Sequence, residues 1–156
     1  NDILVLLSGP EPQRSLLEEK LFTELAPFQG KVVFVKGIME QEQTIQVLGN
    51  MTIYNFMTSN LLEKTINESA LVIARSGYTT VMDLAKLSKK AFFIPTPGQF
   101  EQEYLAKRLT KLGLVPSCKQ EEFSLEKLND IESFDGLKAF DFEVDYKKLF
   151  SLFEGK

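Results

Sequence analysis

The stretch Arg75-Ser76-Gly77-Tyr78-Thr79-Thr80, with a carboxylate following at Asp83, combines residue types suited to a phosphorylated ligand. A glycine at such a point permits a tight bend and lets a ligand approach the backbone closely. Where a helix starts there, its first N–H groups and its dipole favour a phosphate or diphosphate. Asp83, four residues after Thr79, falls on the same helical face one turn in, where a carboxylate can accept hydrogen bonds from the two hydroxyls of a ribose. The same spacing also fits a quieter arrangement, in which Thr79 or Thr80 caps the helix and Asp83 complements its dipole. A second polar cluster lies in Pro95-Thr96-Pro97-Gly98-Gln99-Phe100-Glu101-Gln102-Glu103-Tyr104. The amides of Gln99 and Gln102 and the carboxylates of Glu101 and Glu103 suit a hydroxyl-rich ligand such as a sugar. A Pro-Gly turn before an acidic first helical turn accounts for the same residues without a ligand.

The elements needed to position these residues are legible around them. Leu71-Val72-Ile73-Ala74 is wholly apolar, as a strand covered on both faces of a parallel sheet must be. Tyr78 to Leu87 reads as a helix with Val81, Leu84, Ala85 and Ser88 on one side, and Ala91 to Ile94 as a second buried strand. Pro95-Thr96-Pro97-Gly98 forces a loop, and a helix follows from about Glu101 to Leu112. Two successive strand–loop–helix units put both polar loops on the carboxyl edge of the sheet, where open α/β sheets bind ligands.

Upstream, Ile3 to Leu7 is an apolar run that leads through Ser8-Gly9-Pro10-Glu11-Pro12 into a helix from about Gln13 to Leu25, with Leu16, Leu17, Leu21 and Leu25 as its inner stripe. Val32 to Val35 is the next buried strand. Thr44 to Leu48 and Met51 to Asn55 alternate around Gly49-Asn50, which fits a hairpin or a loop leading into one strand. Ser59 or Asn60 caps a helix running to Glu68 with Leu61, Leu62 and Ile66 inward. Downstream, Gly113 closes a helix, Leu114 to Cys118 reads as an edge strand, Phe123 to Ile131 as a short helix and Tyr146 to Phe153 as a terminal one. Strands alternating with helices at this spacing predict an α/β fold, a Rossmann-like doubly wound parallel sheet.

Composition narrows the function classes. The 156 residues fit one domain with a sizeable core. A net charge of −4 argues against a nucleic-acid-binding surface. No apolar run approaches the ~20 residues that span a membrane, and no basic segment precedes the first apolar run as in a signal peptide. The single cysteine, Cys118, rules out an internal disulfide and fits a reducing compartment. With no histidine in the chain, an imidazole base or a His-ligated metal would have to come from elsewhere. Asp141-Phe142-Glu143-Val144-Asp145 reads as acidic surface rather than a metal site. The start on Asn1, directly before a strand, suggests a piece of a longer protein.

The pairing of RSGYTTVMDLAKL with IPTPGQFEQEYLAKRL resembles the carboxyl-terminal domain of glycosyltransferase family 28, one half of the GT-B fold. The resemblance covers most of the chain and is strongest from about Phe56 to Arg108. It implies a nucleotide-sugar (donor) binding domain spanning residues 1–156, with a UDP-sugar as substrate and no cofactor or metal. The partner it implies is an amino-terminal Rossmann-like acceptor domain, in cis or in trans, that supplies the catalytic base. It further implies a cytoplasmic location, with peripheral contact to the inner face of a membrane through that other half.

Residue by residue, Arg75, Ser76 and Gly77 match the family's turn near the diphosphate, and Thr80 the hydroxyl position at the start of the helix, beside Thr79. Asp83 matches a glutamate that binds the ribose. Gln102 and Glu103, with Gln99 in the loop before them, match the polar pair contacting the donor sugar or phosphates. Phe56 and Met57 match the segment whose backbone reads the base edge. Asp83 is one methylene shorter than the family's glutamate, Ala106 replaces an amide side chain, and Pro10 and Pro12 remove two N–H donors from the first loop, where Arg14 remains as a cation. The resemblance thus implies an inverting glycosyltransferase that moves a sugar to an acceptor hydroxyl. A non-catalytic partner subunit and a nucleotide-sugar epimerase fragment are the alternatives.

Overall fold

The apolar runs become the strands of one sheet. The computed structural model describes residues 1–137; the expected helix over Tyr146–Phe153 and the acidic segment Asp141–Asp145 lie outside the described residues. The strands are β1 (Ile3–Leu6), β2 (Val32–Val35), β3 (Ile45–Leu48), β4 (Met51–Tyr54), β5 (Leu71–Ala74) and β6 (Ala91–Phe93), ordered β3-β4-β2-β1-β5-β6. All pairings are parallel except β3 with β4, the hairpin that the sequence allowed around Gly49-Asn50. Gly49 takes φ +57 there, as a two-residue hairpin turn requires of its first residue.

Successive side chains of a strand point to opposite faces, so an unbroken apolar run serves two cores. Leu4, Val33, Val35, Val72, Ala74, Ala91 and Phe93 face one side. They are covered by α2 (Ser59–Asn67), α3 (Tyr78–Lys86) and α4 (Phe100–Lys111), which insert Ile66, Val81, Leu84, Leu105 and Leu109. On the other side Ile3, Val5, Phe34, Ile53, Ile73 and Phe92 meet α1 (Gln13–Leu25) and the 3₁₀ segment Leu125–Ser133. The sheet is doubly wound, as expected. Strands are added outward from β1 first on one side and then, from β5, on the other, so the loops leaving β1 and β5 flank the switch point at the carboxyl edge.

Several local expectations are corrected. Leu17, Leu21 and Leu25 form the inner stripe of α1, but Leu16 is one position off that face and stays half exposed. Thr58, not Ser59 or Asn60, caps α2, its Oγ1 accepting from the Leu61 N–H at 3.5 Å; Thr65 and Ile66 are buried, while Leu61 and Leu62 are only half-buried. The expected edge strand over Leu114–Cys118 reduces to one bridge between Phe93 and Ser117, since Pro116 has no N–H to extend a ladder. The expected helix over Phe123–Ile131 is 3₁₀, at Gln120–Glu122 and Leu125–Ser133. Its inward residues Leu125, Leu128 and Ile131 repeat every three positions, which suits three residues per turn.

Candidate functional site

The two polar loops leave β5 and β6, which are neighbours, so α3 and α4 begin side by side. The link between them is Gln102. Its backbone carbonyl accepts a hydrogen bond from Ser76 Oγ at 2.7 Å, and its Oε1 accepts one from the Thr96 N–H at 2.8 Å. Its Nε2 lies 4.0 Å from where a Cβ on Gly77 would sit. One residue, through its carbonyl and its side chain, therefore joins the Arg75–Gly77 turn, the Pro95–Gln99 loop and the first turn of α4.

Gly77 is the residue before α3, with φ −71, which any residue can adopt. The space a Cβ would fill is bounded only by that Gln102 amide. Neither backbone conformation nor packing calls for glycine at this position. No side chain caps α3. Thr79 and Thr80 lie within the helix, exposed and half-buried respectively, so the alternative in which one of them is the cap is not realised. Asp83 is exposed and its carboxylate makes no hydrogen bond or ion pair within the described residues. It lines a cleft of about 380 Å³ between α2 and α3, opposite Ser59 and Glu63.

Gln99 precedes α4 and Glu103 sits in its first turn, both exposed. Glu103 faces two adjoining clefts, of about 430 and 180 Å³, shared with Pro95 and Lys119. Ala106 lines the larger of them, with its own side chain buried. Burial pushes the Cys118 thiol in that wall up to about 11. Thr96, which the sequence did not single out, is 2% exposed with its Oγ1 sealed and unpartnered, 3.5 Å from a Cβ position on Gly9. Only the fold reveals that neighbour, since Gly9 belongs to the loop after β1.

Phe56 and Met57 follow β4 at the same edge but stand apart from this pair of loops, with β2 and β1 between β4 and β5. Three strand spacings make about 14 Å. The Phe56 N–H is taken by Asn55 Oδ1 at 2.9 Å, and its carbonyl accepts from Gln43 Nε2 at 3.1 Å. Met57 packs against the core under α2 and α3.

The two arginines turn inward. Arg75 is 2% exposed. Its Nη1 donates to the carbonyls of Ile94 and Pro95 at 3.2 and 3.3 Å, and its Nη2 to the Gln13 carbonyl and Gln120 Oε1 at 3.2 and 2.8 Å. Burial lowers its pKa to about 10, which leaves it charged at neutral pH. Arg14, in the first turn of α1, donates to Glu11 at 2.7 Å, to Glu18 at 3.0 Å and to the Lys36 carbonyl at 3.3 Å. Hydrogen bonding by Ser15 and the charge of Arg14 hold the Glu11 carboxyl below the usual range.

The architecture defines a class: one Rossmann-like half of a GT-B glycosyltransferase, carrying paired helix starts at its carboxyl edge. The family model of the glycosyltransferase family 28 C-terminal domain matches residues 14–132, and the chain belongs to that family. A Sulfurihydrogenibium sp. protein named UDP-N-acetylglucosamine--N-acetylmuramyl-(pentapeptide) pyrophosphoryl-undecaprenol N-acetylglucosamine transferase is 28% identical over 127 residues, covering 80% of this chain and 35% of the relative. A Methylobacterium radiotolerans protein of the same name is 37% identical over 62 residues, 38% of this chain and 17% of the relative. The chain thus spans about a third or less of the length of these curated relatives. Among solved structures, Acinetobacter baumannii MurG superposes with a TM-score of 0.62 at 22% identity, covering 85% of this chain and 40% of that one. The solution structure of ALG13 gives 0.67 at 14% identity, covering 96% and 94%.

Proposed function

We propose that this chain is the donor-binding half of an inverting glycosyltransferase, which takes a sugar from a nucleotide-sugar, a UDP-sugar, to an acceptor hydroxyl. The observation that carries the reading is the uncapped start of α3 at Gly77, strapped by Gln102 to the start of α4. The diphosphate lies against the N–H groups of the Gly77–Thr80 turn. Asp83, with no partner among the described residues, takes the ribose hydroxyls. The base runs along the α2–α3 cleft toward Met57, and Gln99, Gln102 and Glu103 meet the donor sugar.

In the reaction the acceptor oxygen forms a bond to the anomeric carbon as the bond to the diphosphate oxygen breaks. The charge that develops on the departing diphosphate is met by the helix start, without a metal ion. Arg75 and Arg14 serve through the loops they hold rather than by touching phosphate. The acceptor's proton goes to a base in an amino-terminal domain, which faces this edge and supports the acceptor. Met39, Ile45 and Phe100, all large, apolar and exposed, stand on segments at this edge and suit such a contact. That domain is joined covalently or arrives as a second subunit.

The test has two arms. Calorimetric titration with UDP, GDP, ADP and dTDP should give binding to UDP in preference to the rest; binding to none of them overturns the donor reading. A UDP-release assay with acceptor lipids or glycans should show no turnover by the 156-residue chain and recovery when the amino-terminal half is restored. Transfer by this chain alone at the rate of the longer protein contradicts the half-enzyme reading.

A further inference from the structure

Arg75 joins segments far apart in sequence at the carboxyl end of β5. Gln13 and Gln120 lie 62 and 45 residues away from it. The Gln120 amide closes the cluster, with Oε1 accepting from Arg75 Nη2 at 2.8 Å and Nε2 donating to Gln13 Oε1 at 2.9 Å. Gln120 is buried, and it belongs to the 3₁₀ turn Gln120–Glu122, outside both polar loops.

We propose that Gln120 and Gln13 are positioning residues of the donor site, acting through Arg75 to fix the spacing between the start of α3 and the Pro95–Gln99 loop. The proposal rests on the donor reading above. Arg75 is two residues before Gly77, so whatever aims its guanidinium sets the backbone from which α3 starts. The same guanidinium grips the Ile94 and Pro95 carbonyls, directly before Thr96, whose N–H is taken by Gln102. The distance between the two ligand-facing turns is therefore spanned by one planar, charged group that only Gln120 and the Gln13 carbonyl orient from behind.

Stability alone does not account for the cluster. Arg75 Nε is buried with no partner, and burying a charged guanidinium among neutral groups carries a desolvation cost that its hydrogen bonds offset only in part. What the cluster supplies is a fixed geometry, and ligand sites lose affinity when supporting residues let the contacting groups drift by fractions of an ångström.

The experiment compares the parent chain with Gln120→Ala, Gln120→Glu and Gln13→Ala, none of which changes a residue of either loop. UDP affinity is measured by calorimetry, and backbone hydrogen exchange is read in ligand-free protein. Gln120→Ala should weaken UDP about tenfold and speed exchange selectively at Gly77–Thr80 and at Thr96–Gln99. Gln13→Ala should do the same more mildly, about threefold, and decides the matter where Gln120→Ala does not fold. Gln120→Glu, which keeps an acceptor for Arg75, should restore most of the affinity. UDP binding equal to the parent, or faster exchange spread evenly over the chain with affinity unchanged, overturns the positioning role. Failure of the parent to bind any nucleoside diphosphate overturns the donor reading itself; unaltered loop exchange in the variants then removes the positioning role as well.

Discussion

Two loops leave the sheet at the switch point, one after β1 and one after β5, and they resolve the same topology in opposite ways. After β5, the turn ends on a glycine with ordinary φ, the helix start has no side-chain cap, and Asp83 stands one turn in without a partner among the described residues. After β1, Pro10 and Pro12 remove N–H groups, Gly9 adopts φ +99, and Arg14 is neutralised by Glu11 and Glu18, the latter also paired with Lys36 at 3.6 Å. Glycine meets a demand of backbone geometry in the first loop, and on the proposed reading it serves ligand access in the second. A sheet edge offers ligand positions by topology, but only the loop whose polar groups are left open can use them.

The comparison breaks most sharply at the arginines. Arg75→Leu removes a buried charge and orphans three carbonyls and the Gln120 amide oxygen, and should cost about 3–5 kcal/mol of folding stability in urea titration. Arg14→Leu should cost clearly less, because its carboxylate partners reach solvent. Equal losses would erase the distinction between a buried clamp and a surface network. Asp83→Asn is next. It should weaken UDP by roughly 1.5–3 kcal/mol, about ten- to a hundredfold, while moving folding stability by only ~0.3–1 kcal/mol. Parent-like affinity would return Asp83 to the role of a helix-end charge.

The glycines separate the loops at a smaller scale. Gly9→Ala places a Cβ at positive φ and should cost about 1–3 kcal/mol of stability. Gly77→Ala meets no strain and only a flexible amide at 4.0 Å, so it should keep its stability and lose UDP affinity about tenfold, or ~1.4 kcal/mol. The reverse pattern would put the ligand in the first loop. The smallest effect concerns Cys118. With its thiol pushed up to about 11 it stays protonated at pH 8, so alkylation by iodoacetamide should run slower in the folded chain than in urea, and an equal rate would show the thiol to be open.

Much of this was legible before any coordinates. Strands covered on both faces need unbroken apolar runs, so β1, β2, β5 and β6 stood out, and Pro12 marked the start of α1. The placement of Asp83 one turn after Thr79 was legible because both lie on one helix. Relations between distant segments were not. The partners of Arg75 come from α1 and from a 3₁₀ turn, so a cation that looked ready for phosphate proved to be a clamp on carbonyls. Thr96 could not be singled out without knowing that Gly9 lies over it. The tail from Leu114 misled because Val115 and the flanking residues look strand-like, while Pro116 limits them to a single bridge.

The central claim is that a nucleotide donor sits across the starts of α3 and α4 and not in the loop after β1. Amide NMR of the chain titrated with UDP addresses it directly. The account predicts that Gly77 to Thr80 and Gln99 to Glu103 shift together, with Asp83 following and Gly9 and Arg14 little changed. Shifts centred on Ser8 to Arg14, or confined to Asp141–Asp145, with the α3 and α4 starts silent, would contradict it.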